Sequence, residues 1–214
     1  MINYREFPNL GYLEVKLTEE ELAPLKEEIA EIQQDFSKAR EHNAQLVGNL
    51  EKEYTLLKSK IALNKLVFKY LKAYDDVSNY TQKISVLTND CPMIVDDAWV
   101  NFQQKYEFNP LHNHTGIISF VIWIKIPYDI KDEEATEPSR KSQNPLAGQF
   151  SFYYTNILGR TSGYHIPADK SLEGTLLIFP ADLNHAVHPF YTSDDYRISV
   201  SGNIRYLTRQ ISNL

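Results

Sequence analysis

Near residue 80 the chain changes its hydrophobic period, and that change limits the fold more than any other feature. Before it, Leu22, Leu25, Ile29, Ile32 and Phe36 recur three and four residues apart, behind a Thr18/Glu21 pair that reads as a capping box. The pattern predicts a first helix over about 18–40. Pro24 lies too deep for an undisturbed first turn, so a kink there, or a start nearer Ala23, is expected. A second amphipathic stretch carries Leu56, Leu57, Ile61, Leu66, Tyr70, Leu71 and Tyr74. Lys58, Lys65, Lys69 and Lys72 fall mostly on its other faces, as on a solvated helix flank.

After residue 80 come short β-branched and aromatic segments separated by turn residues. The clearest predicted strands are 93–103, 117–126, 149–154, 175–179 and 196–206, with weaker ones at 12–17, 84–87 and 164–166. This series suits a mainly β fold with α: a double-stranded β-helix, that is, a jelly-roll or cupin-like barrel, with the N-terminal helices packed outside. Segment 117–126 is apolar on both faces, as expected of a strand covered on both sides. Segment 196–204 alternates, with Ile198, Val200 and Ile204 on one side and Arg197, Ser199, Ser201 and Asn203 on the other. One face should pack and the other look into a polar space. The acidic, proline-containing stretch 129–148 is expected to be a structureless insertion, either a lid or inert. A chain of 214 residues fits a single domain over 1–214, with a helical layer to about 80 and a barrel core from about 81.

Charge and composition narrow the function classes. With 22 Lys+Arg against 28 Asp+Glu, the net charge of -6 gives no support to nucleic-acid binding or to an anionic membrane surface. The longest apolar run, 117–124, is broken by Ser119 and falls far short of the roughly 20 residues needed to span a bilayer. Cys91, the single cysteine, cannot form an internal disulfide, and Met1 to Arg5 lack a signal-peptide layout, so a reducing cytoplasm is expected. The helical layer leaves a homodimer open.

The chemistry has to come from the histidines. His112 and His114 are two residues apart, and on a strand that spacing presents both to one ion. They precede one apolar strand, while His185 and His188 follow another, beside the polar face that carries Arg197. Together these point to a metal centre. His42 and His165 read as structural or surface residues. Trp99, Phe102 and Tyr106 are candidates to line a dry pocket, with Asn101 and Gln103 as polar candidates for cosubstrate or substrate. Arg197 has a plain alternative in a surface ion pair with Asp194 or Asp195.

The order and spacing of several segments carry a resemblance. Trp99-Val100-Asn101, 109–116, 174–180, 185–189 and 197–204 together resemble the 2-oxoglutarate/Fe(II)-dependent oxygenases of marine phages and bacteria, over roughly 93–205. Leu46-Val47-Gly48-Asn49 is similar to what precedes the barrel in phage members. The resemblance implies Fe(II), 2-oxoglutarate and dioxygen, with succinate formed and an unidentified prime substrate hydroxylated. It makes His185 the distal iron ligand and Arg197 the clamp for the distal carboxylate of 2-oxoglutarate, with Ser199 beside it and Asn101 nearby. No catalytic group is expected beyond these metal and cosubstrate ligands.

One position departs from the common pattern: His114 stands where such sites usually place a carboxylate. Two ligand sets are open, His112 with His114 and His185, or His114 with His185 and a water. An octahedral iron that chelates 2-oxoglutarate and binds dioxygen has room for three protein ligands, which leaves His188 outside. A three-histidine dioxygenase of cupin type that does not use 2-oxoglutarate, and a non-catalytic barrel serving phage structure or assembly, are the alternatives.

Overall fold

A computed structural model describes residues 9–42, 48–84 and 91–207. The strands are β1 (Leu13–Lys16), β2 (Glu53–Thr55), β3 (Met93–Gln103), β4 (Asn109–His112), β5 (Ile118–Lys125), β6 (Gln149–Thr155), β7 (Thr161–Pro167), β8 (Thr175–Pro180), β9 (Asn184–Val187) and β10 (Arg197–Tyr206). The helices are α1 (Glu19–Gln34), α2 (Lys60–Ser78), α3 (Tyr80–Lys83), α4 (Ile130–Ala135) and α5 (Glu137–Lys141). Two antiparallel sheets result, ordered β1-β8-β5-β10-β3-β2 and β4-β9-β6-β7. This is the mainly β, jelly-roll arrangement that the strand pattern predicts. No described helix is long and apolar enough to cross a membrane.

Two cores hold the layers. Leu22, Leu25 and Ile29 of α1 and Leu63, Val67 and Leu71 of α2 pack on Val100, Phe102, Ile122, Ile178, Ile198 and Val200, the outer face of the larger sheet. Val121, Trp123, Leu177 and Phe179 on its inner face meet Phe150, Phe152 and Ile166 of the smaller sheet. Neighbouring residues of β5 thus serve different cores, which explains its unbroken apolar run.

The helical expectations need three corrections. The Thr18 capping box forms, with its hydroxyl accepting from the Glu21 backbone N–H at 3.3 Å and the Glu21 side chain accepting from the Thr18 N–H at 3.0 Å. However, α1 runs unbroken through Pro24 and ends at Gln34, with only a 3-10 turn at Phe36–Lys38 beyond it. Pro24 removes one N–H from the ladder, and the buried Leu22 and Leu25 on either side keep the turn in place. In α2 Leu63 and Val67 carry the core contact, whereas Ile61 is 73% exposed and Leu57, which precedes the helix, is 57% exposed.

The start of α2 is capped by another helix. The buried Glu28 of α1 accepts from the backbone N–H groups of Leu57 (2.7 Å), Lys58 (2.9 Å) and Ser59 (2.7 Å), and from the Ser59 hydroxyl at 2.6 Å. Burial raises its pKa, but the hydrogen bonds from Ser59, Lys58 and Leu57 outweigh burial and leave it below the ordinary value. A depressed carboxylate stabilises the fold above its unfolded pKa, and that contribution is lost as pH falls through the folded pKa. Glu28→Ala is expected to cost about 3 kcal/mol at neutral pH, and less below about pH 4. Urea unfolding at pH 7 and pH 3 checks this, and an equal loss at both would contradict it.

The stretch 129–148 is not structureless. It contains α4 and α5, and the fully buried Glu133 accepts from the backbone N–H groups of Tyr191 (2.8 Å) and Thr192 (2.9 Å) and from the Thr192 hydroxyl. Composition could not show this, because the ligands of Glu133 lie 58 and 59 residues away. Strands β2, β4 and β9, each 3–4 residues long, lie outside the segments expected as strands. The strand expected at 84–87 lies, past Ile84, outside the described residues, as do Leu46 and Val47.

Candidate metal centre

Strands β4 and β9 pair with His112 directly opposite His185. His112 Nδ1 lies 2.7 Å from the Pro110 carbonyl and His185 Nδ1 lies 2.9 Å from the Leu183 carbonyl. A carbonyl only accepts, so each Nδ1 carries the proton and each Nε2 keeps its lone pair for a ligand. His114 stands beyond the end of β4, so strand alternation does not place it. Its backbone N–H donates to Ala181 (3.0 Å), and the chain then turns at Gly116, with φ of +116° and a Cβ position only 2.8 Å from the Ile204 carbonyl. The turn leads the chain on into β5 and leaves His114 beside the other two rings. Their ligand atoms all lie within 4.8 Å of one another, with ring centroids 4.3–5.0 Å apart.

Electrostatics favour the ligating form. Burial first, then the neighbouring imidazoles, holds His185 down to about 3 and His114 down to about 4. Burial also lowers His112, against the opposing hydrogen bond that its Nδ1 donates to the Pro110 carbonyl. Three neutral imidazoles sharing one pocket are a donor set suited to a divalent transition metal, so the residues fit an iron.

The second half of the site lies along β10 and β3. Their register sets Arg197, Ser199, Ser201 and Asn203 opposite Gln103, Asn101, Trp99 and Asp97. All but Gln103 line, with the three histidines, a cavity of about 250 Å³. Arg197 is 2% exposed. Its Nε and Nη2 donate to Gln103 Oε1 (3.2 and 2.6 Å), Nη1 to the Tyr128 hydroxyl (2.6 Å) and Nη2 also to the His188 carbonyl (2.8 Å). Among the described residues no carboxylate pairs with it, for Asp194 holds Lys105 and Asp195 holds Lys125. A buried cation without a counter-ion is costly, and the site therefore calls for an anion from outside the chain.

Ser199 and Asn101 stand beside that guanidinium. Asn101 Nδ2 donates to the Ser199 hydroxyl (3.2 Å) and the Ser201 hydroxyl (3.3 Å), while its Oδ1 accepts from Trp99 Nε1 (3.1 Å). Each hydroxyl that accepts from Asn101 keeps its own proton to offer elsewhere. His188 lies outside the histidine cluster, with Nε2 on the Ser151 hydroxyl at 2.9 Å. The same hydroxyl meets His165 Nδ1 at 2.7 Å.

Three sequence-based placements are corrected. Phe102 is fully buried against the helices and Tyr106 is 62% exposed, so neither lines the cavity. Trp123, Phe150 and Phe179 do, which becomes legible only once pairing sets the inward phase of β5, β6 and β8. His42 is not on the surface: it is buried, lines the cavity and stacks on Trp99 at 5.0 Å and 13°.

Residues 97–203, half of the chain, match a family described as "Putative 2OG-Fe(II) oxygenase". No curated protein matches the sequence. Solved structures of similar fold include a prolyl-4-hydroxylase from Pseudomonas putida, with a TM-score of 0.52 at 14% identity, covering 92% of this chain and 94% of that one. A prolyl hydroxylase from Trichoplax adhaerens, in complex with a peptide of the hypoxia inducible factor oxygen degradation domain, gives 0.51 at 13% identity, covering 96% and 88%. HygX from Streptomyces hygroscopicus, with iron bound, gives 0.51 at 11% identity, covering 96% and 90%. The likeness to these structures is one of fold. With the family match over the segment that holds the three histidines and Arg197, it leads to one conclusion: the chain belongs to the 2OG-Fe(II) oxygenase family, with Fe(II) and 2-oxoglutarate as its cofactors.

Proposed function

We propose that the protein is a dioxygenase that hydroxylates a prime substrate while converting 2-oxoglutarate to succinate. In this reading His112, His114 and His185 hold Fe(II), and Arg197, Ser199 and Asn101 receive 2-oxoglutarate. The observation that carries it is the buried Arg197, without a carboxylate partner among the described residues, in the same cavity as the three histidines. When bound, Fe(II) with 2-oxoglutarate supplies oxidative decarboxylation of the cosubstrate and an oxidant for a C–H bond.

The chain's own residues bind and orient. Gln103, Tyr128 and the His188 carbonyl take four of the five guanidinium N–H donors and fix its plane, so that a carboxylate meets one preset Nη1 N–H on a buried cation rather than a mobile side chain. Tyr128, stacked on Phe190 at 4.8 Å, closes the wall behind it. Trp123, Phe150 and Phe179 keep the histidine end of the cavity apolar, which strengthens charge interactions there and limits water. The single Cys91 supports action in a reducing compartment, the cytoplasm.

Anaerobic titration of the protein with Fe(II) and then 2-oxoglutarate tests the assignment. A weak visible charge-transfer band, saturating at one equivalent of each, is expected. Its absence in folded, iron-loaded protein would overturn the reading in favour of a three-histidine enzyme that does not chelate 2-oxoglutarate.

A further inference from the structure

The cavity is electrically two-ended. Strands β3 and β10 form its floor, and successive cavity-facing pairs are Arg197/Gln103, Ser199/Asn101, Ser201/Trp99 and Asn203/Asp97. Each step of two residues advances about 7 Å, so Arg197 and Asp97 sit at ends roughly 20 Å apart along the backbone. Among the described lining residues, apart from the histidines, these two alone carry formal charge. The metal cluster stands between them, since the Trp99 ring lies 5.9 Å from that of His114. A dicarboxylate reaching from Arg197 to the histidines fills one half and leaves the half toward Asp97 open.

That open half offers one acceptor group. Among the described residues the Asp97 carboxylate makes no hydrogen bond and no ion pair, although it is close enough to act electrostatically on His42 and Arg205. Arg205 is committed elsewhere, with Nε on Asp96 at 2.7 Å. Asn203 Oδ1 already accepts from Ser119, at 2.8 Å. The adjoining wall is aromatic, His42 stacked on Trp99. An unpaired carboxylate beside aromatic rings suits an alkylammonium, which brings three N–H donors and is attracted by ring faces. A second anion would be repelled by Asp97, and an apolar group would leave the carboxylate desolvated and unpaired.

We propose that Asp97 anchors the prime substrate and that this substrate carries a primary amine cation, as in a lysine side chain or an alkyl diamine. The inference rests on the oxygenase reading for the placement of 2-oxoglutarate in the other half. The amine is held at the Asp97 end, so the carbon presented to the metal lies several bonds from the nitrogen.

Calorimetric titration of the iron- and 2-oxoglutarate-loaded protein under argon tests this, with Nα-acetyl-lysine amide, cadaverine and acetyl-Gly-Lys-Gly-amide as probes and Nα-acetyl-norleucine amide, 1,5-pentanediol and acetyl-Gly-norleucyl-Gly-amide as their respective neutral counterparts. At least one cationic probe is expected to bind tenfold or more tightly than its neutral counterpart, and the free or peptide form that binds identifies the source of the amine. Asp97→Asn should remove that preference while leaving the affinity for 2-oxoglutarate unchanged. Asp97→Lys should reverse it, so that glutarate binds in place of cadaverine. No binding by any of the three cationic probes, or an undiminished preference in Asp97→Asn, overturns the proposal while the charge-transfer band remains. Failure of the oxygenase reading is a separate result, since it removes the band and cation binding at Asp97 can still be measured in the metal-free protein.

Discussion

His185→Ala is expected to lose stoichiometric Fe(II) binding, and 2-oxoglutarate turnover should fall by roughly three orders of magnitude. The ring is buried, its Nδ1 is committed to the Leu183 carbonyl, and its Nε2 is presented toward His112 and His114. With one of three donors gone, the remaining imidazoles have no chelating partner at that position, and loss of an orienting partner alone typically costs 10–100-fold in affinity. The companion variants decide the ligand set. If all three histidines ligate, His112→Ala and His114→Ala lose iron to a similar degree. If His112 only supports the others, its alanine variant keeps a full equivalent. His114→Asp should retain iron, because it places a carboxylate where one suits an iron site. Colorimetric iron analysis after anaerobic reconstitution gives the readout, with circular dichroism to show that each variant is folded. Full iron occupancy in His185→Ala would remove the histidine cluster from the mechanism.

Arg197→Ala should raise the dissociation constant for 2-oxoglutarate by roughly 100-fold to 1,000-fold while leaving Fe(II) binding intact. The size follows from burial: truncating one partner of a buried, hydrogen-bonded charge pair costs about 2–5 kcal/mol, and each 1.4 kcal/mol is about a factor of ten. Arg197→Lys should recover only part of the loss, since an ammonium keeps the charge but cannot hold Gln103, Tyr128 and the His188 carbonyl in one plane while meeting a carboxylate. The charge-transfer band read against 2-oxoglutarate concentration separates this from any effect on iron. An unchanged midpoint in Arg197→Ala would mean that the cosubstrate is held elsewhere.

The long strands were legible from sequence because alternation and β-branched content survive without knowledge of partners. The expected segment 93–103 coincides with β3, and 196–206 with β10 to within one residue. The polar face of β10 likewise projects into the cavity as alternation requires. Short strands carry no such signal, and β4 and β9, with four residues each, are the two that bring His112 and His185 together. The role of Glu133 was equally hidden: an acid in an acidic stretch looks like any other until Tyr191 and Thr192 are seen to surround it.

By itself, the sequence determined the two-part layout, the strand-rich core, the presence of three histidines and one arginine that can meet in a metal site, and the absence of a carboxylate beside His112. These follow from periodicity and residue chemistry, which are local. Tertiary structure alone decided that His42 joins the cavity, that Phe102 and Tyr106 leave it, that Arg197 is buried without a counter-ion among the described residues, and that Asp97 faces it from the opposite end. Each of these depends on register between strands distant in sequence, and a register shift of one residue exchanges the cavity face for the core face.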